Sequence, residues 1–525
     1  MKMTNELSSD NKSTRKQRHI IKRMIVRGIL ILDTPTCLGS GDADSPTDLP
    51  LLRDCTSDYA LLTGSSIAGA LRNYLREHEH GYLTDEKPND LATALFGGTR
   101  KDDDGEQSNW IIDDAISTKP IQSELRDGVK INSITRTATD KAKYDLELLQ
   151  AGTEFSLGFE LLIEKNDDEA KLIKALTLGL QGLEPNNSSK SGEISLGMKK
   201  RRGFGQCHVK EWQVWNFDLT DASDRTAWLT LDHSWLTDPP CTKQPAVDAS
   251  IVVALKKAGL QIEKNWEDKR DRFLIHATFQ LVGSLLIRSG QDSTGCAPDV
   301  VHLKSHRPKN NIQEIENSSD KNKPNLVHIL SGTSLAGVLR HRAERIIKTL
   351  GSCSQLVDQL FGFVNGKEAK ASRLVVYEKV IEKATELVQN RIAIDRFTGG
   401  AYHGALFNEQ PIFGSNETIV TIELELRQPE DYEIGLLLLL IKDLWTSDLP
   451  VGGESSIGRG RLKGIQANLI RHHPQNPKQW KITANNENLQ IENVLNSSQS
   501  EKEVKDELEG FVKALLKQLG QEVSV

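Results

Sequence analysis

At 525 residues the chain is long enough for two to four domains. Its 37% apolar and 26% charged residues allow sizeable cores with polar segments left over, and a net charge of −7 excludes a basic nucleic-acid coat, so any nucleic acid would have to follow a local stripe. Six scattered cysteines without a C-x-x-C pair, a polar N-terminus and a longest apolar run of only Ile434–Ile441 point to a cytoplasmic protein with reduced, buried thiols and no structural zinc, signal peptide or membrane span.

In chain order, residues 1–17 are polar and read as a disordered arm. His19–Leu32, rich in Ile and Val, reads as a first strand feeding the Gly-containing loop Thr36–Gly41. Next comes Thr63-Gly64-Ser65-Ser66-Ile67-Ala68-Gly69-Ala70-Leu71-Arg72, a hydroxyl-capped turn opening a helix with Ile67, Ala70, Leu71, Tyr74 and Leu75 at helical spacing. Its free N–H groups and positive dipole end would suit a phosphate, although an ordinary capped helix accounts for the same residues. Leu95-Phe96-Gly97 follows, then a strand over Trp110–Asp113. Ile131–Phe155 holds Arg136-Thr137 in a polar segment between extended runs, and Leu157–Ile163 is a further strand. Acidic residues Asp167–Glu169 open a helix over Leu172–Leu180, and the unit closes on the Gly-rich segment Leu196–Gly205, which carries Lys199, Lys200, Arg201 and Arg202 before Gly203.

Residues 216–268 form a connector with Asp238-Pro239-Pro240 and a helix near Ile251–Leu260. The same order then recurs. A strand over Phe273–Ile287 precedes Ser331-Gly332-Thr333-Ser334-Leu335-Ala336-Gly337-Val338-Leu339-Arg340, which matches the first copy at nine of ten positions, like for like. Leu360-Phe361-Gly362, the strand Leu374–Glu378, the segment Ile392–Ile412 with Arg396-Phe397-Thr398, the strand Thr418–Leu426 and the helix Ile434–Leu444 follow. Val451–Arg461, with Arg459 and Arg461 flanking Gly460, closes the unit. Between Gly64 and Gly332 the offset is 268 residues; for Phe96 and Phe361 it is 265, for Arg136 and Arg396 260, and for Gly203 and Gly458 255. A slowly drifting offset at a fixed order is a tandem duplication.

Each half therefore reads β–α–β–β–α–β, an α+β ferredoxin-like (RRM-like) unit with insertions. The expected domains are 18–215 and 269–470, with a polar tail over 471–525. The tail ends in an amphipathic helix: Ser500 with Glu503 makes a capping box, Val504, Leu508, Phe511, Leu515 and Leu519 share a face, and Gly520 stops it. That face fits docking on its own domain or on a partner.

A Gly-Ser-Ser-x-x-Gly-x-Leu-Arg helix after an Asp-bearing loop, with a Gly-x-Gly segment closing the domain, resembles the RAMP superfamily. The chain is most similar to two fused copies of the backbone subunit of type III CRISPR effector complexes. The resemblance implies two tandem RAMP domains, each with a thumb hairpin that interrupts a guide–target duplex. It implies guide CRISPR RNA, single-stranded target RNA and other effector subunits as partners, with no membrane. It also implies a loop aspartate that promotes target cleavage with Mg2+ or another weakly bound divalent cation.

In the family that aspartate lies in an Asp-x-Pro-aliphatic-aliphatic-Arg-Asp pattern. Asp48-Leu49-Pro50-Leu51-Leu52-Arg53-Asp54 fits it, with Asp44 as the alternate; Asp299-Val300-Val301-His302 is the second-half counterpart, with Asp292 as its alternate. A turn-forming aspartate explains each singly. The chemistry is sound: RNA carries its own nucleophile, the 2′-OH, and a carboxylate can orient it or hold a metal-bound water. RNA-holding residues would be Gly64, Ser65, Ser66, Arg72, Arg136, Lys199, Lys200, Arg201, Arg202 and Gly203, and then Gly332, Thr333, Ser334, Arg340, Arg396, Arg459 and Arg461. Phe397 and Tyr402 could wedge a base. Neither Gly-rich segment ends in Gly-Lys-Ser/Thr, which argues against nucleotide hydrolysis. A non-catalytic guide scaffold is the alternative. A guide-precursor processing endonuclease is disfavoured, because no His lies between Asp33 and Ser66.

Overall fold

The computed structural model describes residues 18–41, 49–98, 107–185, 190–230, 243–262, 266–289, 298–308, 326–351, 355–366, 368–485, 488–496 and 498–521. The arm over 1–17 and the aspartates Asp44, Asp48 and Asp292 lie outside them.

The first half runs β1 (Ile20–Leu32), β2 (Tyr59–Leu62), α1 (Gly64–His80), α2 (Leu91–Phe96), β3 (Trp110–Ile112), β4 (Ala115–Pro120), β5 (Ser123–Ile131), β6 (Ala138–Leu149), β7 (Glu154–Glu164), α3 (Glu169–Gln181) and β8 (Cys207–Asp218). β1 lies between β7 and β8, antiparallel to both, and β3 and β4 add beyond β7. Four core strands in this order, with α1 and α3 as the two helices, make the ferredoxin-like unit. Alternate residues of β1 and β7 meet the apolar faces of α1 and α3 in one core, where Leu30, Phe155 and Leu176 contact no water. The connector supplies α4 (Ala222–Leu229), β9 (Ala246–Asp248), which extends the sheet beyond β8, and α5 (Ile251–Lys257).

The second half repeats the plan with β10 (Arg272–Val282), β11 (Leu326–Leu330), α6 (Gly332–Thr349), α7 (Gln355–Phe361), β12 (Leu374–Val376), β13 (Lys379–Glu382), β14 (Gln389–Ile394), β15 (Ala401–Gln410), β16 (Ile419–Arg427), α8 (Asp431–Trp445) and β17 (Arg461–His472). β10 lies between β16 and β17, as β1 lies between β7 and β8. The tail does more than its polarity suggests: β18 (Lys478–Asn485) and β19 (Asn488–Asn493) pair onto β17 and extend this sheet. The last helix, α9 (Glu501–Gln518), has the Ser500/Glu503 capping box and buries Val504, Leu508, Phe511 and Leu515. It docks on its own domain, where its backbone at Phe511 packs against Gly435 of α8. Of the described cysteines, Cys37 and Cys207 are buried free thiols, while Cys55 is exposed, contrary to the expectation for it.

The two halves meet through the first half's closing loop. Lys200–Arg202 form one turn of 3-10 helix that packs against β12 and the start of α6. A Cβ on Gly203 would strike the backbone of Glu378, and one on Gly332 would strike the carbonyls of Arg202 and Val376. Small residues are required where two backbones approach this closely. Buried charges close the same junction: Arg126, at the root of the β5–β6 hairpin, donates to Glu378 (2.9 Å), which also takes Arg307 (2.7 Å).

Candidate nucleic-acid interface

The β5–β6 hairpin of the first half and the N-terminal turns of α6 are the walls of a groove of about 2100 Å³. Its floor includes Arg202, Ile287–Ser289 and the second closing loop from Gly452 to Ser456. Ten lysines and arginines line it against five aspartates and glutamates, so a chain of net charge −7 carries a locally positive groove. Tyr144 and Phe363 add aromatic surface. This is the stripe that the composition requires of a nucleic-acid binder.

Of the residues singled out in the sequence, Arg136, Arg202, Thr333, Ser334, Arg340 and Arg461 line the groove. Arg136 sits in the left-handed region at the hairpin tip and is exposed. Arg340 reaches the groove but also donates to Gly362 O (2.8 Å) and pairs with Asp358. Arg72 makes the same link in the first half, to Gly98 O (3.0 Å) and Glu86. The repeated Arg thus clamps the helix to the turn after Leu-Phe-Gly. Lys199 lies over the Tyr144 ring at 4.0 Å.

Lys200 and Arg201 are turned into the junction between the halves. Burial lowers the pKa of both; Arg201 and Arg427 lower that of Lys200 further and Arg427 that of Arg201, while Glu425 raises that of Arg201 and Glu77 raises both. Arg459 is 3% exposed and is held by Glu409, Gln389 and Glu454, so its charge is used inside the protein. Gly64 packs on the carbonyl of Ile112, as Gly332 does on that of Val376. At the start of α1 the chain supplies its own anion: Asp114 accepts from Gly64 N (2.6 Å), beside exposed Ser65 and Ser66. At α6 the counterpart acid, Glu378, is drawn away by Arg126 and Arg307, and Thr333 and Ser334 open onto the groove.

Asp299 is exposed, just before a short strand that pairs with Arg288–Ser289 at the groove floor. Its Oδ2 accepts from Asn408 N (2.8 Å) on β15. Asp299 itself is not among the lining residues. Arg396 is exposed on the β14–β15 hairpin.

Sequence spacing missed several groove cations, among them Arg288, Arg342 and Arg345. The signal was present in α6, where Arg345 follows Arg340 within two turns. The hairpin tips also align differently from the sequence landmarks. Asn132 Oδ1 accepts from the backbone N–H of Ile134 and Thr135, and Asp395 Oδ1 accepts from Phe397 and Thr398. Asn132 therefore corresponds to Asp395, and Arg136 to Gly399 rather than to Arg396. The alignment brings out Ile134 as the counterpart of Phe397; they are 83% and 101% exposed, and Tyr402 is also exposed. Two further groups lie outside the groove lining. His208 Nδ1 is 2.9 Å from Asp33 at the end of β1. Glu79, His80 and Asp90 converge between α1 and α2, where the two carboxylates accept from the backbone of Leu91 and Lys87.

Two ferredoxin-like modules in tandem, each with a hairpin thumb and a glycine-closed loop, and a cationic groove across their junction, define a class of RNA-binding module. A RAMP superfamily profile matches residues 30–208 and 278–463, so the chain belongs to the RAMP superfamily of CRISPR-associated RNA-binding proteins. No individual curated protein matches it. Among the described residues no helix is long and apolar enough to cross a membrane.

Proposed function

We propose that the chain is a fused double backbone subunit of a type III CRISPR effector complex, which holds guide RNA along the groove and cuts complementary target RNA beside its loop aspartates. The observation that carries this reading is the cationic groove framed by the first thumb and the start of α6. Phosphates would be neutralised by Arg136, Arg202, Arg345 and Arg461, and the thumb tips at Ile134 and Phe397 would part neighbouring bases. In the cutting step the 2′-OH of a splayed ribose attacks the adjacent phosphorus in line and the 5′-oxygen leaves, taking a proton from solvent water. The products are a 2′,3′-cyclic phosphate and a 5′-OH.

Asp299 would orient that hydroxyl and take its proton, with one carboxylate oxygen fixed by Asn408 N–H. A single exposed carboxylate suits one position of a mostly hydrated divalent cation. When bound, such an ion would neutralise charge on the scissile phosphate. Asp48 takes the same role in the first half by the Asp-x-Pro pattern. A purely scaffolding role is the second reading, favoured by the absence of Asp299 from the groove lining. The assembled complex, purified with its guide, should lose one cut with Asp48→Ala and another with Asp299→Ala while target affinity stays within about twofold. Unchanged cutting in both variants would leave the scaffold reading.

A further inference from the structure

We propose that Asn365 is a self-modifying residue: in water it loses its side-chain amide and leaves a carboxylate on the lining of the groove. Asn365-Gly366 is the chain's one Asn-Gly pair. It lies just after α7, at the turn of a short hairpin in which Phe363–Asn365 pairs with Glu368–Lys370. Asn365 stands directly opposite Glu368, and Phe363 opposite Lys370. Val364 is 82% exposed, and Asn365 and Gly366 are exposed beside it. Phe363, Val364, Asn365 and Lys370 all line the groove. Among the described residues none hydrogen-bonds the Asn365 side chain. Asparagines at other tight turns are held: Asn132 Oδ1 accepts from Ile134 N and Thr135 N, and Asn493 Oδ1 accepts from Leu495 N and Asn496 N.

The reaction needs only water and these two residues. The peptide nitrogen of Gly366, having given up its proton, attacks Cγ of Asn365. The new C–N bond closes a succinimide ring, the Cγ–Nδ2 bond breaks, and Nδ2 leaves as ammonia with a proton regained from solvent. Water then adds to one imide carbonyl and reopens the ring, and the nitrogen recovers its proton. Opening at one carbonyl leaves aspartate; opening at the other leaves isoaspartate, with an extra methylene in the main chain. Gly366 suits the attack: it has no Cβ to crowd the approach, and a Cβ built there would meet nothing within 4 Å, so the turn has room to rotate. Either product sets a negative charge opposite Glu368, where like charges repel across a strand pair, and among the cations that line the groove. The hairpin loosens and the hold on phosphates weakens together. The effect on RNA rests on the function proposed above, while the chemistry rests on Asn365 and Gly366 alone, so either can fail without the other.

The test incubates the nuclease-treated full chain in heavy-oxygen water at neutral and mildly alkaline pH and maps its peptides by mass spectrometry. Asn365 should convert with uptake of solvent oxygen, faster than Asn132 and Asn493, and faster at the higher pH because the attacking nitrogen must be deprotonated. Chromatography should resolve an aspartate form and an isoaspartate form. Asn365→Gln, whose longer side chain closes the ring poorly, should keep its amide. Separately, freshly purified Asn365→Asp should bind guide RNA severalfold more weakly than wild type, with Asn365→Gln close to wild type. A circular dichroism melt establishes that each variant is folded. An Asn365 that converts no faster than Asn132 and Asn493 overturns the proposal. So does a folded Asn365→Asp variant that binds RNA as tightly as wild type. Should wild type itself not bind RNA, the function proposed above falls, and the peptide map alone decides this proposal.

Discussion

His302 shows how a buried residue sets a pH limit. Its Nδ1 accepts from Ile287 N (3.2 Å), and its Nε2 lies 3.2 Å from the carbonyl of Ile329. Both contacts are met only by the neutral ring with its proton on Nε2, because a proton on Nδ1 would face another N–H. Burial pushes its pKa down to about 3 and that of His78 to about 4. Both lie below the unfolded value near 6.5, so the unfolded chain binds these protons first. The contribution is complete above about pH 6.5 and is lost as the pH falls towards 4 and 3, by a few kcal/mol in all. A second loss belongs to the carboxylates. Burial works to raise Glu193 and Glu425, but Arg270 with Arg272, and Arg427 with Arg272, outweigh it and hold each at about 2. Their contribution is complete above the unfolded value near 4.5 and disappears as pH approaches 2. Urea midpoints across pH should therefore fall in two stages, and His302→Gln should flatten the upper stage alone. An upper stage with unchanged slope in that variant would refute this account.

At the scale of elements, the groove gives its clearest signature in salt dependence. Arg136 on the first thumb, Arg345 on α6 and Arg461 at the start of β17 are exposed lining residues. Each substitution to Gln should weaken guide-RNA binding severalfold and reduce the log–log salt slope by about one, measured by filter binding from low to moderate salt. Lys200→Gln and Arg201→Gln, whose side chains turn into the junction, should leave the slope unchanged. The strand and helix order was legible because each apolar face keeps its period of two or 3.6, and the final helix because its capping box is local. The groove was only partly legible. Lys199–Arg202 look alike in sequence, yet one 3-10 turn sends Lys200 and Arg201 to the other half and Arg202 to the groove. The thumb tips were misaligned because Asn132 and Asp395 perform the same turn chemistry with different side chains.

For the whole molecule the question is whether two modules of one design behave as one body. Their junction is built on charge: Glu378 is buried between Arg126 and Arg307, and Glu124 pairs with Arg126 and His306. Arg126 belongs to the root of the first thumb and Glu378 to the second half, so the pair fixes the thumb that walls the groove to the helix opposite it. Burial works to raise the Glu378 pKa, but Arg126 and Arg307 outweigh it and keep the group ionised. An ion pair of this kind adds little against an apolar replacement, but breaking one side strands a buried charge and costs about 3–5 kcal/mol. Wild type should therefore unfold in one calorimetric transition, and Glu378→Gln should split it in two, the first-half thumb becoming more accessible to protease below the first transition. The variant Glu124→Gln/Arg126→Met/Arg307→Met/Glu378→Met, which removes the whole charged cluster and not one side of it, should restore much of the coupling. Should Glu378→Gln still melt as one unit at the wild-type temperature, the halves are joined by their apolar contacts instead, and the thumb is positioned from its own side of the junction.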